Sequence, residues 1–265
     1  MDSRPSANER GPYELAEMTY AEVEALVARS EKKIALIPSG STEAHGPHLP
    51  LNTDSIISEG MAHAAAERLV GAGFVAVTFP TLHYAVTDWA GDFAGSTSLS
   101  EDTALGLVLE TCLAARRMGF DAVVLCNAHL EPDNIGTLRT VAERYATEMG
   151  DALIFPDVTR RRVAQRLTPE FQSGSCHAGC YETSLVLAMR PDLVRREIAA
   201  ELPAHIVPLH EKIAAGAKNF LECGLDHAYC GSPAEATAEE GRATFAVLAQ
   251  VTLEQVEAHF APEPN

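Results

Sequence analysis

Positive charge is scarce in this chain. Lys and Arg total 20 against 37 Asp and Glu, giving a net charge of −17 over 265 residues, with the acidic groups spread along the chain. A field of that sign repels phosphate backbones and anionic lipid, which argues against nucleic-acid and membrane partners. Long apolar runs are also missing. No stretch reaches the length of a membrane span, and Met1-Asp2-Ser3-Arg4-Pro5 leads into polar residues rather than a hydrophobic signal core, so a cytoplasmic location is expected. The 6 cysteines, Cys112, Cys126, Cys176, Cys180, Cys223 and Cys230, follow no small-domain disulfide framework, and reduced thiols are expected. Three common α/β signatures are lacking as well: the Walker A sequence, the G-x-S-x-G nucleophile elbow, and a dinucleotide fingerprint after the first predicted strand. Their absence argues against a kinase, a serine hydrolase or a dehydrogenase.

What the chain does have is 46% hydrophobic residues, enough for one large core. Residues 1–12 are polar and read as a flexible tail, the Ala261-Pro262-Glu263-Pro264-Asn265 end reads as loose, and 13–260 reads as one catalytic domain. Helical spacing covers Tyr13 to Ser30. Short apolar runs at Lys33 to Pro38, Phe74 to Thr78, Asp121 to Cys126 and Ala152 to Phe155 read as strands. Helices are predicted from Thr53 to about Val70, Ser100 to Met118, about Asn134 to Met149, from Cys180 or Tyr181 onward, and from Glu235 to His259. Continuous apolar strands separated by helices of ten or more residues indicate a parallel sheet covered on both faces, hence an α/β fold.

Ligands of such sheets bind beyond the carboxyl ends of the strands. The loop after the first apolar strand runs Ser39-Gly40-Ser41-Thr42-Glu43-Ala44-His45-Gly46-Pro47-His48 and on to Asp54; the loop after the third is Asn127-Ala128-His129-Leu130-Glu131. Each pairs a carboxylate with an imidazole two residues away, and in extended backbone such pairs point the same way. Glu43, His45, Asp54, His129 and Glu131 form a mixed oxygen and nitrogen set suited to Zn²⁺ or Mn²⁺, with Fe²⁺ also compatible. Two ions about 3.5–4 Å apart could share and acidify a water. Each residue alone reads more simply, as a solvated carboxylate or a hydrogen-bonded His; it is the two pairs at one sheet edge that favour a metal site. His48, between Pro47 and Leu49-Pro50, fits a structural role equally well and stays outside the ligand set.

A third cluster is Cys176-His177-Ala178-Gly179-Cys180-Tyr181-Glu182. His177 can protonate a leaving nitrogen, and Glu182 can orient it or bind a substrate amino group; Glu182 could also simply favour the dipole of the helix it opens. Cys176, His177 and Cys180 lack a second thiol pair for a structural zinc site, and neither thiol has an evident activating base. Pocket walls are expected from Tyr84 to Phe93 and from Ser173 to Cys180, which makes Trp89, the sole tryptophan, a substrate-binding candidate alongside Glu182.

The run Pro38-Ser39-Gly40-Ser41-Thr42-Glu43-Ala44-His45-Gly46-Pro47-His48-Leu49-Pro50 followed by Thr53-Asp54 resembles the signature of the creatininase family. Gly95-Ser96-Thr97-Ser98-Leu99, Asn127 to Glu131, His177-Ala178-Gly179 with Glu182-Thr183-Ser184, and Gly231-Ser232-Pro233 leading to Gly241 extend the resemblance over nearly the whole chain. It implies a three-layer α/β/α fold with a mostly parallel sheet and a homo-oligomer, commonly a hexamer. It also implies two divalent ions per chain on Glu43, His45, Asp54, His129 and Glu131, with Asp54 bridging and His177 the catalytic acid. The implied reaction is attack of a metal-bridging hydroxide on a small, cyclic amide, with Glu131 or His177 carrying the proton to the departing nitrogen. Creatininase proper encloses its flat substrate with tryptophans from the second half of the chain; here Trp89 stands alone, which argues against creatinine itself. Cys180 replaces an acidic residue of many relatives. Peptide-trimming or carbohydrate-processing hydrolysis is the alternative within the family. A non-catalytic metal-binding scaffold would predict a broken ligand position, and none is broken.

Overall fold

The structure, a computed structural model, describes residues 11–262. Most of the tail expected at 1–12, and the end of the chain from 263, lie outside the described residues. In chain order the elements are β1 (Tyr13–Glu14), α1 (Tyr20–Val27), β2 (Lys33–Ser39), α2 (Thr53–Gly71), β3 (Val75–Thr78), α3 (Glu101–Met118), β4 (Ala122–Asn127), α4 (Pro132–Met149), α5 (Arg161–Ala164), α6 (Pro169–Ser173), α7 (Cys180–Met189), α8 (Arg196–Glu201), α9 (Leu209–Ala214) and α10 (Ala238–Phe260). The strands are all parallel, in the order β1-β3-β2-β4.

β2 is buried along its whole length, and its period of two feeds two cores. Ile34 and Leu36 pack on one face with α2, α7 and α10; Ala35 and Ile37 pack on the other with α1, α3 and α4. This is the covered parallel sheet read from the apolar runs, in the three-layer α/β/α arrangement that the family resemblance implies. The helix after β2 lies on one face, while the helices after its neighbours β3 and β4 lie on the other. The chain therefore parts at the carboxyl end of β2, and a crevice opens there between the loops following β2 and β4.

Several boundaries differ from the sequence reading. The helix expected over Tyr13 to Ser30 is split into β1, a 3₁₀ turn at Leu15–Glu17, and α1. A capping box sets the start of α1: Thr19 N–H donates to Glu22 Oε2 at 2.7 Å, and Glu22 N–H donates to Thr19 Oγ1 at 3.4 Å. Upstream of the box, Tyr13 and Glu14 gain more by pairing with Val77 and Thr78. The strand expected at Ala152 to Phe155 is reduced to one bridge, Val124 with Ile154. Pro156, which has no N–H to offer, stops the ladder there. α10 starts at Ala238 rather than Glu235, because Thr237 is its side-chain cap, accepting from Glu240 N–H at 3.1 Å.

Asp157, just past this interrupted strand, ties it to α4 and α5. Its Oδ2 accepts from Arg139 Nη2 at 2.8 Å and Arg160 Nε at 3.1 Å, and its Oδ1 accepts from Thr159 N–H at 3.0 Å. Burial would raise its pKa, but the Thr159 and Arg139 hydrogen bonds outweigh that and hold it below the usual carboxylate value. A lowered folded-state pKa contributes stability that is present above the unfolded value, about 3.9, and is lost as pH falls through the folded one. Thermal melts through and below about pH 4 should therefore show a shallower acid loss for Asp157→Asn than for the unsubstituted chain; parallel curves would show that Asp157 carries no linked stability.

Candidate active site

The end of β2 and the start of α2 are brought into direct contact. A Cβ on Gly40 would run into the backbone of Asp54 and Ser55, so only glycine lets the two segments close. This closure puts Asp54 in the first turn of α2, where the helix dipole favours a carboxylate, and Ser41 Oγ donates to its Oδ2 at 2.7 Å. Glu43 N–H donates to the Leu51 carbonyl at 2.9 Å and Gly46 N–H to that of Ala228 at 2.7 Å, pinning the intervening loop.

Glu43, His45, Asp54, His129 and Glu182 converge here, all buried. His129 Nδ1 lies 3.0 Å from both Glu43 Oε1 and Asp54 Oδ2. Its Nε2–H donates to the Val86 carbonyl at 2.7 Å, which orients Nδ1 toward the carboxylates. His45 Nε2 lies 3.2 Å from Asp54 Oδ1, 3.5 Å from Glu182 Oε2 and 3.8 Å from Glu43 Oε1. Among the described residues, three sets have ligand atoms all within 4.8 Å of one another: Glu43, Asp54 and His129; His45, Asp54 and Glu182; and Glu43, His45 and His177. Asp54 belongs to the first two and joins them.

The electrostatics suit a cation. Burial would lower the His45 pKa, but Asp54, then Glu182 and Glu43, carry it up to about 10. Burial is likewise outweighed at His129, which Glu43 and Asp54 hold well above the usual imidazole value. Glu43 Oε2 and His45 Nε2 are nonetheless buried with no hydrogen-bond partner. A buried carboxylate oxygen with no partner, in a cluster where the imidazole nitrogen of His45 has only ion-pair contacts to three carboxylates, is costly for protein alone and is what a divalent ion would satisfy.

The structure places two of these residues differently from the expectation. Glu182, read from sequence as a substrate contact or a dipole partner, falls in one of the ligand sets; its Oε2 also accepts from Ala178 N–H at 2.6 Å. Glu131, read as a ligand, lies outside all three sets. Its two oxygens accept from Asp88 N–H at 3.0 Å and Trp89 N–H at 3.1 Å, and its nearest imidazole nitrogen is His129 Nε2 at 3.8 Å. A two-residue spacing aimed the pair alike, but the amides of the Tyr84 to Phe93 loop, distant in sequence, hold the Glu131 carboxylate to one side. Burial pushes its pKa up to about 7.

His177 Nε2–H donates to the Ala44 carbonyl at 3.0 Å, and its ring packs, tilted, 4.5 Å from His45 and 4.2 Å from Phe220, centroid to centroid. Burial and then the charge on His45 hold its pKa well below the usual value, so it is neutral with Nδ1 as its basic nitrogen. His48 lies behind the cluster, bonded through Nε2 to Thr183 Oγ1 at 2.9 Å. All 6 cysteines are unpaired. A cavity of about 70 Å³ opens onto Glu43, Asp54, Glu131, His177 and Glu182. Its apolar wall is Trp89, Leu130, Leu209, Ile213 and Phe220, and no lining residue is Lys or Arg. Leu209 and Ile213, four apart on the short helix α9, and Phe220 beyond it escaped the sequence reading, since little more than one helical turn is too short to show a period.

A family model described as creatinine amidohydrolase, Creatininase, matches residues 16–256. The chain belongs to the creatininase family. The mycofactocin precursor peptide peptidase of Mycobacterium ulcerans (strain Agy99) is 29% identical over 236 residues, covering 87% of this chain and 86% of the peptidase. The creatinine amidohydrolase of Pseudomonas putida is 27% identical over 263 residues, covering 94% and 97%. A crystal structure of creatinine amidohydrolase superposes with a TM-score of 0.74 at 26% identity, covering 95% of this chain and 99% of that one. Solved creatininase structures include manganese and zinc forms. The creatininase fold is therefore shared along the chain, and family members are hydrolases acting on carbon–nitrogen bonds.

The Gly40 contact can be tested directly. Gly40→Ala should force β2 and α2 apart, costing about 1–3 kcal/mol in chemical denaturation. An unchanged midpoint would show that the junction has slack.

Proposed function

We propose that this creatininase-family chain is a metal-dependent amidohydrolase cleaving a C–N bond of a small, cyclic amide. The observation that carries the reading is the sharing of Asp54 by two buried ligand sets at the wall of one small cavity. Glu43, Asp54 and His129 would hold one ion; His45, Asp54 and Glu182 would hold the other. Ions bound there supply polarisation of the amide carbonyl and acidification of water.

The chain's own groups supply the rest. Glu131, with a pKa near neutrality and a fixed carboxylate on the cavity wall, takes a proton from the attacking water. Neutral His177, anchored through Nε2 to the Ala44 carbonyl, offers Nδ1 to relay that proton to the departing nitrogen. Trp89, Leu209, Ile213 and Phe220 exclude water and favour an apolar substrate face. The absence of Lys and Arg from the lining leaves no salt-bridge partner for a substrate carboxylate. Peptide trimming is the second reading, favoured by the likeness to the mycofactocin precursor peptide peptidase.

Elemental analysis should find about two divalent ions per chain and a sharp fall in Asp54→Ala. Hydrolysis across a panel of cyclic amides, creatinine included, and short peptides then separates the two readings. No metal under metal-replete conditions would sink both. Glu131→Gln should retain the ions and lose about 10²–10⁴-fold in kcat. Loss of an ion in that variant would return Glu131 to the ligand set.

A further inference from the structure

Glu170 stands outside the site, on α6, yet its carboxylate is committed to the segments that carry it. Oε1 accepts from Tyr181 N–H at 2.8 Å, and Oε2 accepts from Ser232 N–H at 2.7 Å. The first bond serves the opening turn of α7, which has no side-chain cap of its own because its N-cap is Gly179. A side-chain carboxylate from another helix thus does the capping and complements the dipole.

Room for that carboxylate has been cleared on two sides. A Cβ on Gly179 would strike Glu170 Oε1 and the Cys230 carbonyl, and a Cβ on Gly231 would strike Glu170 Oε2 and the Ser175 carbonyl. Cys230 N–H donates to the His177 carbonyl at 2.8 Å, so the two segments Glu170 grips are also bonded to each other. Phe171, next to Glu170, packs its ring 4.8 Å from that of Tyr181. Three residues before Tyr181 lies Ala178, a buried non-glycine residue at φ 53°, a strained conformation that persists only when its surroundings enforce it. Ala178 N–H donates to Glu182, and His177 precedes it. The orientation of this turn decides where both side chains reach the cavity.

We infer that Glu170 is a positioning residue: by clamping the α7 N-terminus to Ser232 it holds the strained His177–Gly179 turn, and through it sets Glu182 and His177 at the active site. The inference rests on the metal-site reading above, since Glu182 is assigned there to the ion shared with His45 and Asp54.

The test is Mn²⁺ binding to the purified full chain, read as stoichiometry and affinity, with kcat and KM measured on whichever panel amide is turned over. Glu170→Gln keeps the shape but leaves one gripped amide facing an NH₂ group. The expected result is one ion held with unchanged affinity by Glu43, Asp54 and His129, and a second bound about 10–100-fold more weakly, with kcat falling more than KM rises. Should that variant fail to fold, Glu170→Asp, which keeps the charge one methylene short, is read the same way. Two ions bound with unchanged affinities and kcat within about twofold would overturn the inference while leaving the metal-site reading intact. An unsubstituted chain that binds no Mn²⁺ would overturn both.

Discussion

Glu43, Asp54, Glu131 and Glu182 are buried around one cavity, and like charges in a low-dielectric interior repel strongly unless each finds compensation. Much of the surrounding structure answers that constraint. Ser41 and the first turn of α2 serve Asp54; the Asp88 and Trp89 amides serve Glu131; the Ala178 amide serves Glu182; His45 and His129 lie between the carboxylates. Even so, Glu43 Oε2 is left without a hydrogen-bond partner. The cluster is unfavourable for a protein without a cation and well suited to one with it, which is why burial, not proximity alone, marks it as the candidate site.

The sheet supplies the place for this cluster. Because the helix after β2 goes to one face and those after β3 and β4 to the other, the strand ends are left uncovered at one point, and three loops meet there. The loop after β2 brings Glu43 and His45, the one after β4 brings His129 and Glu131, and the long segment after β3 brings Val86, Asp88 and Trp89. Gly40 makes the meeting tight by admitting the start of α2 against the end of β2. The fourth side of the cavity comes from the opening of α7 and the segment around Phe220, outside the sheet altogether.

That fourth side depends on less regular means. Ala178 departs from ordinary backbone geometry, and several hydrogen bonds from remote elements hold it there: His177 to Ala44, Cys230 to His177, and the Glu170 grip on Tyr181 and Ser232. Strain of this kind is sustained by agreement among many contacts. His48, bonded to Thr183 one residue beyond Glu182, belongs to the same support, which explains a buried imidazole so near a ligand cluster.

The sequence by itself determined the α/β class, the strands β2, β3 and β4, and the loops that carry Glu43, His45, Asp54 and His129, which the structure brings together. These follow from local rules: apolar runs bury strands, helical spacing covers them, and Glu43 and His45, two apart in one loop, point together. Only the tertiary structure decided the different surroundings of Glu131 and Glu182, the contribution of Leu209, Ile213 and Phe220 to the apolar wall, and the pairing of Tyr13 and Glu14 with β3. Glu131 turns aside because the backbone N–H groups of Asp88 and Trp89, some forty residues earlier in the chain, donate to its carboxylate. Glu182 turns inward because Glu170 and Ala178 set the first turn of its helix. The Glu131 bonds join residues some forty apart in the chain and the Glu170 bond joins two different helices, and neither spacing nor periodicity carries information about such bonds.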